Sequence, residues 1–373
     1  MSQVRVGMIG YQFMGRAHTH AYRALPFYFG HKVEPVLQAI AGRREKAVAE
    51  AAERMGWRSY ETDWRRLIER DDIDLIDIVT PNNTHAEMAI AALEAGKHVI
   101  CEKPLAMSVE EAERMCAAAE RSGVENMITH NYRFAPAVQY ARQLIADGKL
   151  GRIYHIRAQY LQDWLTDPEA PMAWRLRKEV TGSGALGDIG AHSIDLARFL
   201  IGEFSEVSSM TETFVTERPY KDGSGTGEVD VDDAAVFLAR FENGTIGTFE
   251  ATRFANGNRN GNRFEINGEK GSVRWDLENM NNLEVFFSSD PEGQQGFRTI
   301  NCTEKVHPYA GAYWPAGHII GYEHTFINFM SEMMNGIARG YSPSPNFEDG
   351  LRNQIVLDAV ERSAKTKQWI GIN

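Results

Sequence analysis

The 373-residue sequence predicts an α/β protein in which a doubly wound parallel sheet precedes an α+β domain with a large, mainly antiparallel sheet. As far as about residue 130, short apolar segments alternate with longer amphipathic ones, which is typical of parallel strands joined by crossover helices. Farther along, segments of apolar–polar alternation follow one another, and Asn243-Gly244 between two of them favours a hairpin. We therefore expect a first domain over 1–130 and a second over 131–373.

In the first domain, we expect a strand over Val4–Ile9 and a helix over Gly15–Leu25. Further strands are expected over Val36–Ala41, Leu75–Val79, His98–Cys101 and Met127–Thr129, and further helices over Lys46–Met55, Thr84–Ala95 and Ser108–Ser122. Ser108 and Glu111 have the spacing of a capping box at the start of the last helix. The alternation of these elements is the evidence for a parallel sheet.

The second domain is expected to begin with a helix over Ala137–Asp147 and a half-buried strand over Ile153–Tyr160. Later strands are expected over Ala234–Phe241, Thr245–Thr252, Arg263–Ile266, Ser272–Asp276 and Leu283–Phe287, and closing helices over Gly321–Asn335 and Phe347–Lys365. The glycine-rich stretches Gly223–Gly227 and Asn256–Asn262 are typical of mobile surface loops.

The composition disfavours several classes of partner. Lys and Arg number 40 against 51 Asp and Glu, and the resulting net charge of −11 repels nucleic acids and anionic membrane surfaces.

Cys101, Cys116 and Cys302 have no paired spacing, which favours a reducing compartment. No leader-like segment or apolar stretch of about 20 residues is present in the sequence. We expect a cytoplasmic protein with neither a nucleic-acid nor a membrane partner.

The first predicted strand runs directly into a glycine turn and then a helix, which is the phosphate-binding arrangement of a Rossmann domain. Gly10 and Gly15 stand at the first and last glycine positions of the dinucleotide fingerprint, while Gln12 replaces its middle glycine. We expect Gly10, Gln12, Phe13 and Met14 to surround the pyrophosphate of a dinucleotide at the helix N-terminus. The alternative is a strand-to-helix turn that binds no ligand.

The residues after the second strand bear on which dinucleotide binds. The strand is followed by Gly42-Arg43-Arg44, with no carboxylate before Glu45 to bond the ribose hydroxyls of NAD. The cofactor is therefore expected to be NAD(P), with NADP favoured because Arg43, or Arg44 in its place, can pair with a 2′-phosphate; NAD stays open. The alternative is that both arginines form a solvated helix start.

Other cofactor contacts are expected where strands end, because an open parallel sheet binds ligands at that edge. These residues are Thr80, Asn82, His85, Glu102, Lys103 and Asn131. His18 and His20 lie two apart on a predicted helix and point in different directions. We interpret them as surface histidines and expect no metal site.

Candidate catalytic side chains occur in two segments. Lys103 follows a buried strand, and the proline after it fixes the turn that presents the lysine. Asp188, His192 and Asp195 fall at i, i+4 and i+7 of a predicted, otherwise apolar helix. Such a polar line is costly unless it is paired or functional. The alternative is that His192 is a core histidine bonded to Asp188.

These motifs, taken together, resemble the Gfo/Idh/MocA oxidoreductases over nearly the whole chain. The resemblance depends on the glycine turn, on Thr80–His85, on Glu102-Lys103-Pro104 and on the segment with Asp188, His192 and Asp195, in the family's order. Within the family, the levoglucosan dehydrogenases are similar in Tyr160–Trp164, Trp174-Arg175, Gly182–Asp188, Pro308-Tyr309 and Trp314-Pro315. Gln12 and Gly42-Arg43 depart from the pattern.

The resemblance implies an NAD(P)-dependent dehydrogenase acting on a secondary ring hydroxyl of a pyranose, an anhydrosugar such as levoglucosan, or an inositol. It implies a catalytic group of Lys103, Asp188 and His192. Since a histidine pKa near 6.5 suits general-base work, we assign His192 as base and Lys103 as the cation that polarises the same oxygen. Asp188 would orient His192 or bond a neighbouring hydroxyl, and the roles of Lys103 and His192 could be exchanged.

Two other functions stay open: a redox-neutral, NAD-dependent glycoside hydrolase that oxidises C3 transiently, and a sugar sensor without catalysis. For the dehydrogenase and for both of these alternatives, the side chains suited to vicinal hydroxyls and to stacking on a sugar ring are Tyr132, Arg133, Gln162, Asp163, Trp164, Trp174 and Arg175, alongside Asp188 and His192. Ordinary packing is the alternative for each tryptophan. The resemblance also implies a homodimer or homotetramer formed through the antiparallel sheet.

Overall fold

The computed structural model describes residues 2–30 and 32–372. Its contacts divide the chain into two compact units. Unit 1 runs through Phe134 and also takes in Gly321–Arg352, and unit 2 comprises Ala135–Ile320 and the chain from Asn353 onward. The division differs from the expected boundary at residue 130 mainly in assigning 321–352 to the first unit.

Unit 1 contains a parallel sheet flanked by helices. Its elements up to residue 128 are β1 (Ser2–Ile9), α1 (Phe13–Tyr28), β2 (Val33–Ala41), α2 (Glu45–Met55), β3 (Ser59–Glu61), α3 (Trp64–Ile68), β4 (Leu75–Ile78), α4 (His85–Glu94), β5 (His98–Cys101), α5 (Val109–Ser122) and β6 (Asn126–Ile128). The strand order is β3-β2-β1-β4-β5-β6, and every neighbouring pair is parallel. The doubly wound prediction is confirmed, although β3 and α3 were not foreseen.

The start of α5 shows how the sequence specifies a helix end. The hydroxyl of Ser108 accepts a hydrogen bond from the amide of Glu111, as the capping pattern predicts. The carboxylate of Glu111 accepts from the amide of Met107, one residue before the expected partner. Gly123 ends the helix in the left-handed conformation, with φ 65°.

Unit 2 is built on a large mixed sheet. Its elements up to residue 301 are α6 (Pro136–Ala146), β7 (Ile153–Leu161), α7 (Lys178–Thr181), a π-helical turn (Leu186–Gly190), α8 (Ala191–Leu200), β8 (Phe204–Glu212), β9 (Glu217–Pro219), β10 (Thr226–Glu228), β11 (Ala234–Phe241), β12 (Ile246–Thr252), β13 (Gly261–Gly268), β14 (Gly271–Asp276), β15 (Asn282–Phe287) and β16 (Arg298–Asn301). The last elements of the chain are α9 (Tyr322–Arg339), α10 (Phe347–Thr366) and β17 (Ile370–Gly371).

The large sheet has the order β16-β15-β14-β13-β7-β12-β11-β8-β17. Most neighbours are antiparallel, as predicted, and Asn243-Gly244 forms the turn between β11 and β12. The β7–β12 pair is parallel, because β7 is inserted between β12 and β13, which follow each other in the chain. β8, β9, β10, β16 and β17 were not foreseen.

The two glycine-rich stretches do not behave alike. Gly223–Gly227 begins as an exposed turn and enters β10 at Thr226. Asn256–Asn262 was expected to be a surface loop throughout, and that was wrong at its end, because Gly261 and Asn262 are buried in β13. No helix among the described residues is long and apolar enough to cross a membrane.

The sheet of unit 2 has one covered and one open face. α8 packs against β7 and β13, and nearly all of its residues are buried. Val236, Leu238 and Ile246 lie on the other face and are 44%, 50% and 49% exposed, respectively. The alternation along β11 and β12 thus has apolar residues on both sides.

Candidate active site

The glycine turn at the end of β1 is shaped for close main-chain approach. Gly10 has φ +112°, and a Cβ there would lie 2.9 Å from the carbonyl oxygen of Val79. A Cβ on Gly15 would lie 2.8 Å from the carbonyl oxygen of Gly10. α1 then begins at Phe13, and the Gln12 side chain makes no capping hydrogen bond in the described structure. The first N–H groups of α1 therefore suit an anionic group, as a dinucleotide pyrophosphate requires.

Basic side chains surround a shallow cavity beside this turn. The cavity has a volume of about 300 Å³ and is lined by Tyr11, Gln12, Arg16, Arg44, Ala47, Glu50, Ala51 and Arg54. Tyr11 covers the end of β2, since a Cβ on Gly42 would overlap its ring. Arg43 and Arg44 are both exposed, but of the two it is Arg44 that lines the cavity.

A buried ionic network lies behind the same edge of the parallel sheet. His18 on α1 is 0% exposed, with Nδ1 2.9 Å from a carboxylate oxygen of Asp77 and Nε2 3.1 Å from Oε1 of Glu102. The hydroxyl of Tyr22 donates to the Asp77 carboxylate at 2.9 Å. Burial by itself lowers the pKa of His18, but the charges and hydrogen bonds of Asp77 and Glu102 outweigh burial and raise the pKa to about 10. The interpretation of His18 as a surface histidine was wrong, whereas His20 is exposed.

The network ends at the main chain of Lys103. The second carboxylate oxygen of Glu102 accepts a hydrogen bond from the Lys103 amide at 3.1 Å. Lys103 is partly exposed and follows β5 directly, joined to Pro104 by a cis peptide bond. The sheet edge therefore presents the lysine from a turn whose amide is fixed by a buried carboxylate.

His85 connects two loops at this edge. Its ring nitrogens lie 2.9 Å from the carbonyl oxygen of Pro104 and 3.0 Å from that of Thr80. The ring is 0% exposed, and burial lowers its pKa. Both nitrogens face main-chain carbonyl oxygens, and a neutral ring donates its single N–H to one of them, so His85 lies between the two loops and ties at least one of them.

Aromatic rings continue from the glycine turn. Phe13 is 56% exposed and stacks on Tyr322 of α9, with ring centres 6.5 Å apart. Tyr322 in turn lies 6.3 Å from Tyr132. Burial raises the pKa of the Tyr322 hydroxyl, so Tyr322 is a neutral hydrogen-bonding group at physiological pH.

In unit 2, the predicted catalytic helix begins with a π-helical turn, a feature frequent at functional sites. The Asp232 carboxylate holds the start of that turn, since it accepts from the amides of Gly184 and Leu186, each at 2.7 Å. Asp188 lies inside the turn and pairs with Arg253, whose Nη2 is 2.8 Å from its carboxylate. Arg253 is 0% exposed and also donates to the Gly184 carbonyl. The Asp188 carboxylate is thus fixed beside a buried guanidinium.

His192 follows on the first turn of α8 and is 7% exposed. Its ring centre lies 5.9 Å from that of Tyr160, whose hydroxyl donates to Oδ1 of Asn260 at 2.7 Å. Gln162 donates to the same oxygen at 3.0 Å and accepts from the indole N–H of Trp164 at 3.0 Å. A chain of hydrogen bonds therefore connects the neighbourhood of His192 to an exposed aromatic ring.

Two tryptophans stand at the rim of this cluster. Trp164 and Trp174 are 43% and 37% exposed. The Arg253 guanidinium lies 5.4 Å from the Trp164 ring, and that of Arg175 lies 4.3 Å from the Trp174 ring. Flat rings held by cations, next to amide and carboxylate groups, suit a polyhydroxylated ring compound.

Comparison with known proteins follows the same division of the chain. Residues 4–130 match the oxidoreductase family with an NAD-binding Rossmann fold, and residues 138–274 match the Gfo/Idh/MocA C-terminal domain. Levoglucosan dehydrogenase of Pseudarthrobacter phenanthrenivorans is 44% identical over 100% of this chain and 99% of its own length.

The chain belongs to the Gfo/Idh/MocA oxidoreductase family.

Solved structures of similar proteins agree with this family assignment. An oxidoreductase domain protein from Kribbella flavida has a TM-score of 0.97 and 52% identity, with 100% of both chains covered. Levoglucosan dehydrogenase in complex with NADH and levoglucosan has a TM-score of 0.97 and 44% identity, again with 100% of both chains covered. Membership of the Gfo/Idh/MocA family, the predicted fold class and the predicted oxidoreductase class are confirmed.

Within each unit, the structure brings many of the proposed Gfo/Idh/MocA site residues together. Gln12, Phe13 and Met14 are partly or fully exposed at the N-terminus of α1. Thr80 and Asn82 are partly exposed beyond β4. In unit 2, Gln162, Trp164, Asp188 and His192 share the cluster around Arg253 and Asn260.

Other proposed residues are occupied elsewhere. Asn131 is 3% exposed and donates to the Thr325 hydroxyl, and Arg133, also 3% exposed, donates to Ser344 and Asp349. These side-chain groups are therefore bonded within unit 1, and their contact with cofactor and substrate stays a prediction. Asp163 accepts from Arg259 and from the Gly257 amide, so it holds the loop next to Trp164.

Sequence reasoning missed Asp77, Arg253 and Asn260, and it named Tyr160 only within a matching stretch, without a role in the site. Asp77 carried a signal, because a carboxylate in the middle of a fully buried strand needs a buried partner. Arg253 directly follows β12, where the alternation of apolar and polar residues has ended and no longer predicts which side chains are buried. Among residues 2–30 and 32–372, no cluster of three or more His, Cys, Asp or Glu side chains is arranged to hold a metal ion.

Proposed function

We propose that this oxidoreductase oxidises a secondary ring hydroxyl of an anhydrosugar, a pyranose or an inositol, with levoglucosan as the first substrate to test. The cluster around His192 supports this most directly. It combines exposed indole faces with amide, guanidinium and carboxylate groups, which are the groups that bind vicinal hydroxyls. The relative at 44% identity carries the name levoglucosan dehydrogenase.

In this proposal, the imidazole of His192 accepts the hydroxyl proton, and the ammonium of Lys103 stabilises the negative charge that develops on the oxygen. Asp188, held by Arg253, accepts a hydrogen bond from a neighbouring hydroxyl and so orients the ring. A bound nicotinamide would supply the hydride acceptor. The glycine turn and the free N–H groups of α1 fit the pyrophosphate of that cofactor.

A panel of levoglucosan, pyranoses and inositols, each with NAD⁺ and NADP⁺, tests the function through absorbance of the reduced cofactor. We expect one equivalent of reduced cofactor for each sugar oxidised. An enzyme that turns over a glycoside without accumulating reduced cofactor would instead be a redox-neutral hydrolase. No turnover of any compound, with NADH still bound, would favour a sensor.

The roles of the two catalytic groups are separated by pH profiles. Loss of the base in His192→Ala should abolish the acid limb of kcat/KM, whereas Lys103→Met should lower the rate and leave that limb in place. If the acid limb disappears with Lys103→Met and survives in His192→Ala, the roles are exchanged.

We propose further that NADP is preferred over NAD. Arg16, Arg44 and Arg54 line the cavity beside the glycine turn with a single carboxylate, Glu50, and no acidic side chain directly follows β2. The preference is measured as the ratio of kcat/KM for the two cofactors. Arg43→Ala and Arg44→Ala should shift this ratio toward NAD, and the variant with the larger shift shows which arginine pairs with the 2′-phosphate. A wild-type preference for NAD would overturn the proposal.

We propose that the open face of the large sheet pairs two copies of the chain, in a homodimer or homotetramer. Val236, Leu238 and Ile246 expose apolar surface there. Mass measurement by light scattering should show an oligomer for the wild type and a smaller species for Leu238→Lys. A monomeric wild type at micromolar concentration would contradict this.

A further inference from the structure

The nearly fully buried network of His18, Asp77 and Glu102 leads to the proposed catalytic lysine. His18 and Asp77 are 0% exposed, and Glu102 is 6% exposed. The catalytic assignment above makes no use of His18, Asp77 or Tyr22, although burying ionisable groups is expensive unless they have a task. The hydrogen bond from the Lys103 amide to Glu102 connects this network to the proposed catalytic lysine.

We propose that His18 is a positioning residue for Lys103 and acts through the carboxylate of Glu102. This inference rests on the proposed role of Lys103. His18 lies on α1, the helix after the glycine turn, and would help to fix the position of the Lys103 main chain.

The ring of His18 can only fill this place as an imidazolium. Each ring nitrogen faces a carboxylate oxygen, at 2.9 Å toward Asp77 and 3.1 Å toward Glu102. A carboxylate only accepts, so both nitrogens must donate. A neutral ring would place a lone pair against one carboxylate, which would then turn away. The cation therefore orients both carboxylates at once.

Glu102 transmits this orientation because its two oxygens have different partners. Oε1 receives the imidazolium N–H, and Oε2 receives the amide N–H of Lys103. Rotation of the carboxylate would break both bonds, so the direction of the Lys103 amide depends on the His18 ring. On the other side, Asp77 is held by the Tyr22 hydroxyl at 2.9 Å, which prevents the ring from following a displaced Glu102.

A neutral amide at position 18 is the informative change. His18→Gln keeps a polar side chain but can donate from only one group, so it cannot hold both carboxylates. We expect kcat to fall about 10- to 100-fold, because a misplaced catalytic group costs that much, while the Kd for NADH measured by fluorescence stays within about twofold. His20→Gln, on the same helix but exposed, is the matched control and should behave as wild type.

The same substitution in a Lys103→Met background separates positioning from general damage. If His18 acts through Lys103, His18→Gln should cost little or nothing once the lysine is absent. A purely structural role would lower the rate by the same factor in both backgrounds. That result would overturn the inference and leave the function intact. Lys103→Met with full wild-type activity would overturn both, since the lysine would then have no catalytic role.

Hydrogen exchange gives a readout that does not depend on turnover. The Lys103 amide, bonded to Glu102, should exchange faster in His18→Gln, whereas amides in the middle of β1 should not change. If His18→Gln does not fold, Tyr22→Phe is the milder variant, because it removes only the hydroxyl that steadies Asp77. It should show a smaller loss of kcat that also disappears with Lys103→Met. Unchanged exchange at Lys103 in a variant with reduced kcat would contradict the mechanism.

Discussion

Replacement of Arg218 should loosen the segment that carries the exposed tryptophans of unit 2. Arg218, on the short strand β9, is 0% exposed. Its guanidinium donates to the carbonyl oxygens of Leu165 at 2.7 Å, Asp167 at 2.8 Å and Ala170 at 3.3 Å. A single side chain therefore holds the main chain after Trp164.

The expected cost of Arg218→Met follows from these bonds. Two short hydrogen bonds from a charged group stabilise by about 1.5–3 kcal/mol each, or roughly 3–6 kcal/mol in total. The Nε atom has no hydrogen-bond partner among the described residues, and an unpaired buried N–H costs about 1–3 kcal/mol. The difference between these ranges is a net loss of roughly 0–5 kcal/mol, about 2.5 kcal/mol at their midpoints. Methionine retains most of the apolar stem, so the loss reports chiefly on the hydrogen bonds to the carbonyl oxygens.

Hydrogen exchange and kinetics measure the effect together. Amides in residues 163–176 should exchange faster, including that of Met172, which donates to the Pro219 carbonyl at 2.8 Å. The KM for sugar should rise by about tenfold, because the indole rings lose their fixed positions, and NADH affinity should not change. Arg218→Lys cannot reach all three carbonyl oxygens, so its exchange rates and its KM should lie between those of the wild type and those of Arg218→Met.

The control is Arg240→Met, which removes an exposed arginine paired with Glu206 and should cost less than about 1 kcal/mol. The reasoning is refuted if Arg218→Met matches this control in stability while residues 163–176 keep their exchange protection.

Three further outcomes follow from the structure. The pKa of His18 in the folded protein is about 10, against an ordinary 6.5. The contribution of protonated His18 to the free energy of unfolding is therefore complete below about pH 6.5 and is lost as the pH rises through 10. Between these values, urea unfolding should show the free energy of unfolding of the wild type falling by about 1.4 kcal/mol per pH unit more than that of His18→Leu. Gly184→Ala should lower the melting temperature and the rate, since its Cβ would overlap the main chain of Asp232 at the start of the π-helical turn; a wild-type melting curve would contradict this. Gly10→Ala should weaken NADH binding at least tenfold, because its φ of +112° and the carbonyl of Val79 both exclude a side chain; unchanged fluorescence titration would count against the phosphate turn.

Much of unit 1 was predictable because its signals are local. Periodicity specifies strands and helices, glycines mark the turn at Gly10, and the capping residue Ser108 marks the start of α5. The order of motifs was enough to indicate the family. Which residues share a strand end could also be inferred, since parallel strands bring their carboxyl ends to one edge.

The candidate site was predicted less completely, because hydrogen-bond partners distant in sequence leave no local pattern. His18 and Asp77 are 59 residues apart, and neither neighbourhood indicates the other. Arg253 pairs with Asp188 across 65 residues, and Arg133 with Asp349 across 216. For the same reason, the sequence did not indicate that His85 bonds the main chain at Thr80 and Pro104, or that Arg133 bonds Ser344 and Asp349.

By itself, the sequence determined the class of elements, the phosphate turn and the residue types available for chemistry, because these depend on neighbours along the chain. The tertiary structure decided which of those side chains are buried, paired or free to act. It placed β7 between β12 and β13, made the His18 ring the centre of an ionic network, and held Asp188 against Arg253. Charge and hydrogen-bond complementarity between distant segments produce these outcomes, and such complementarity exists only once the chain has folded.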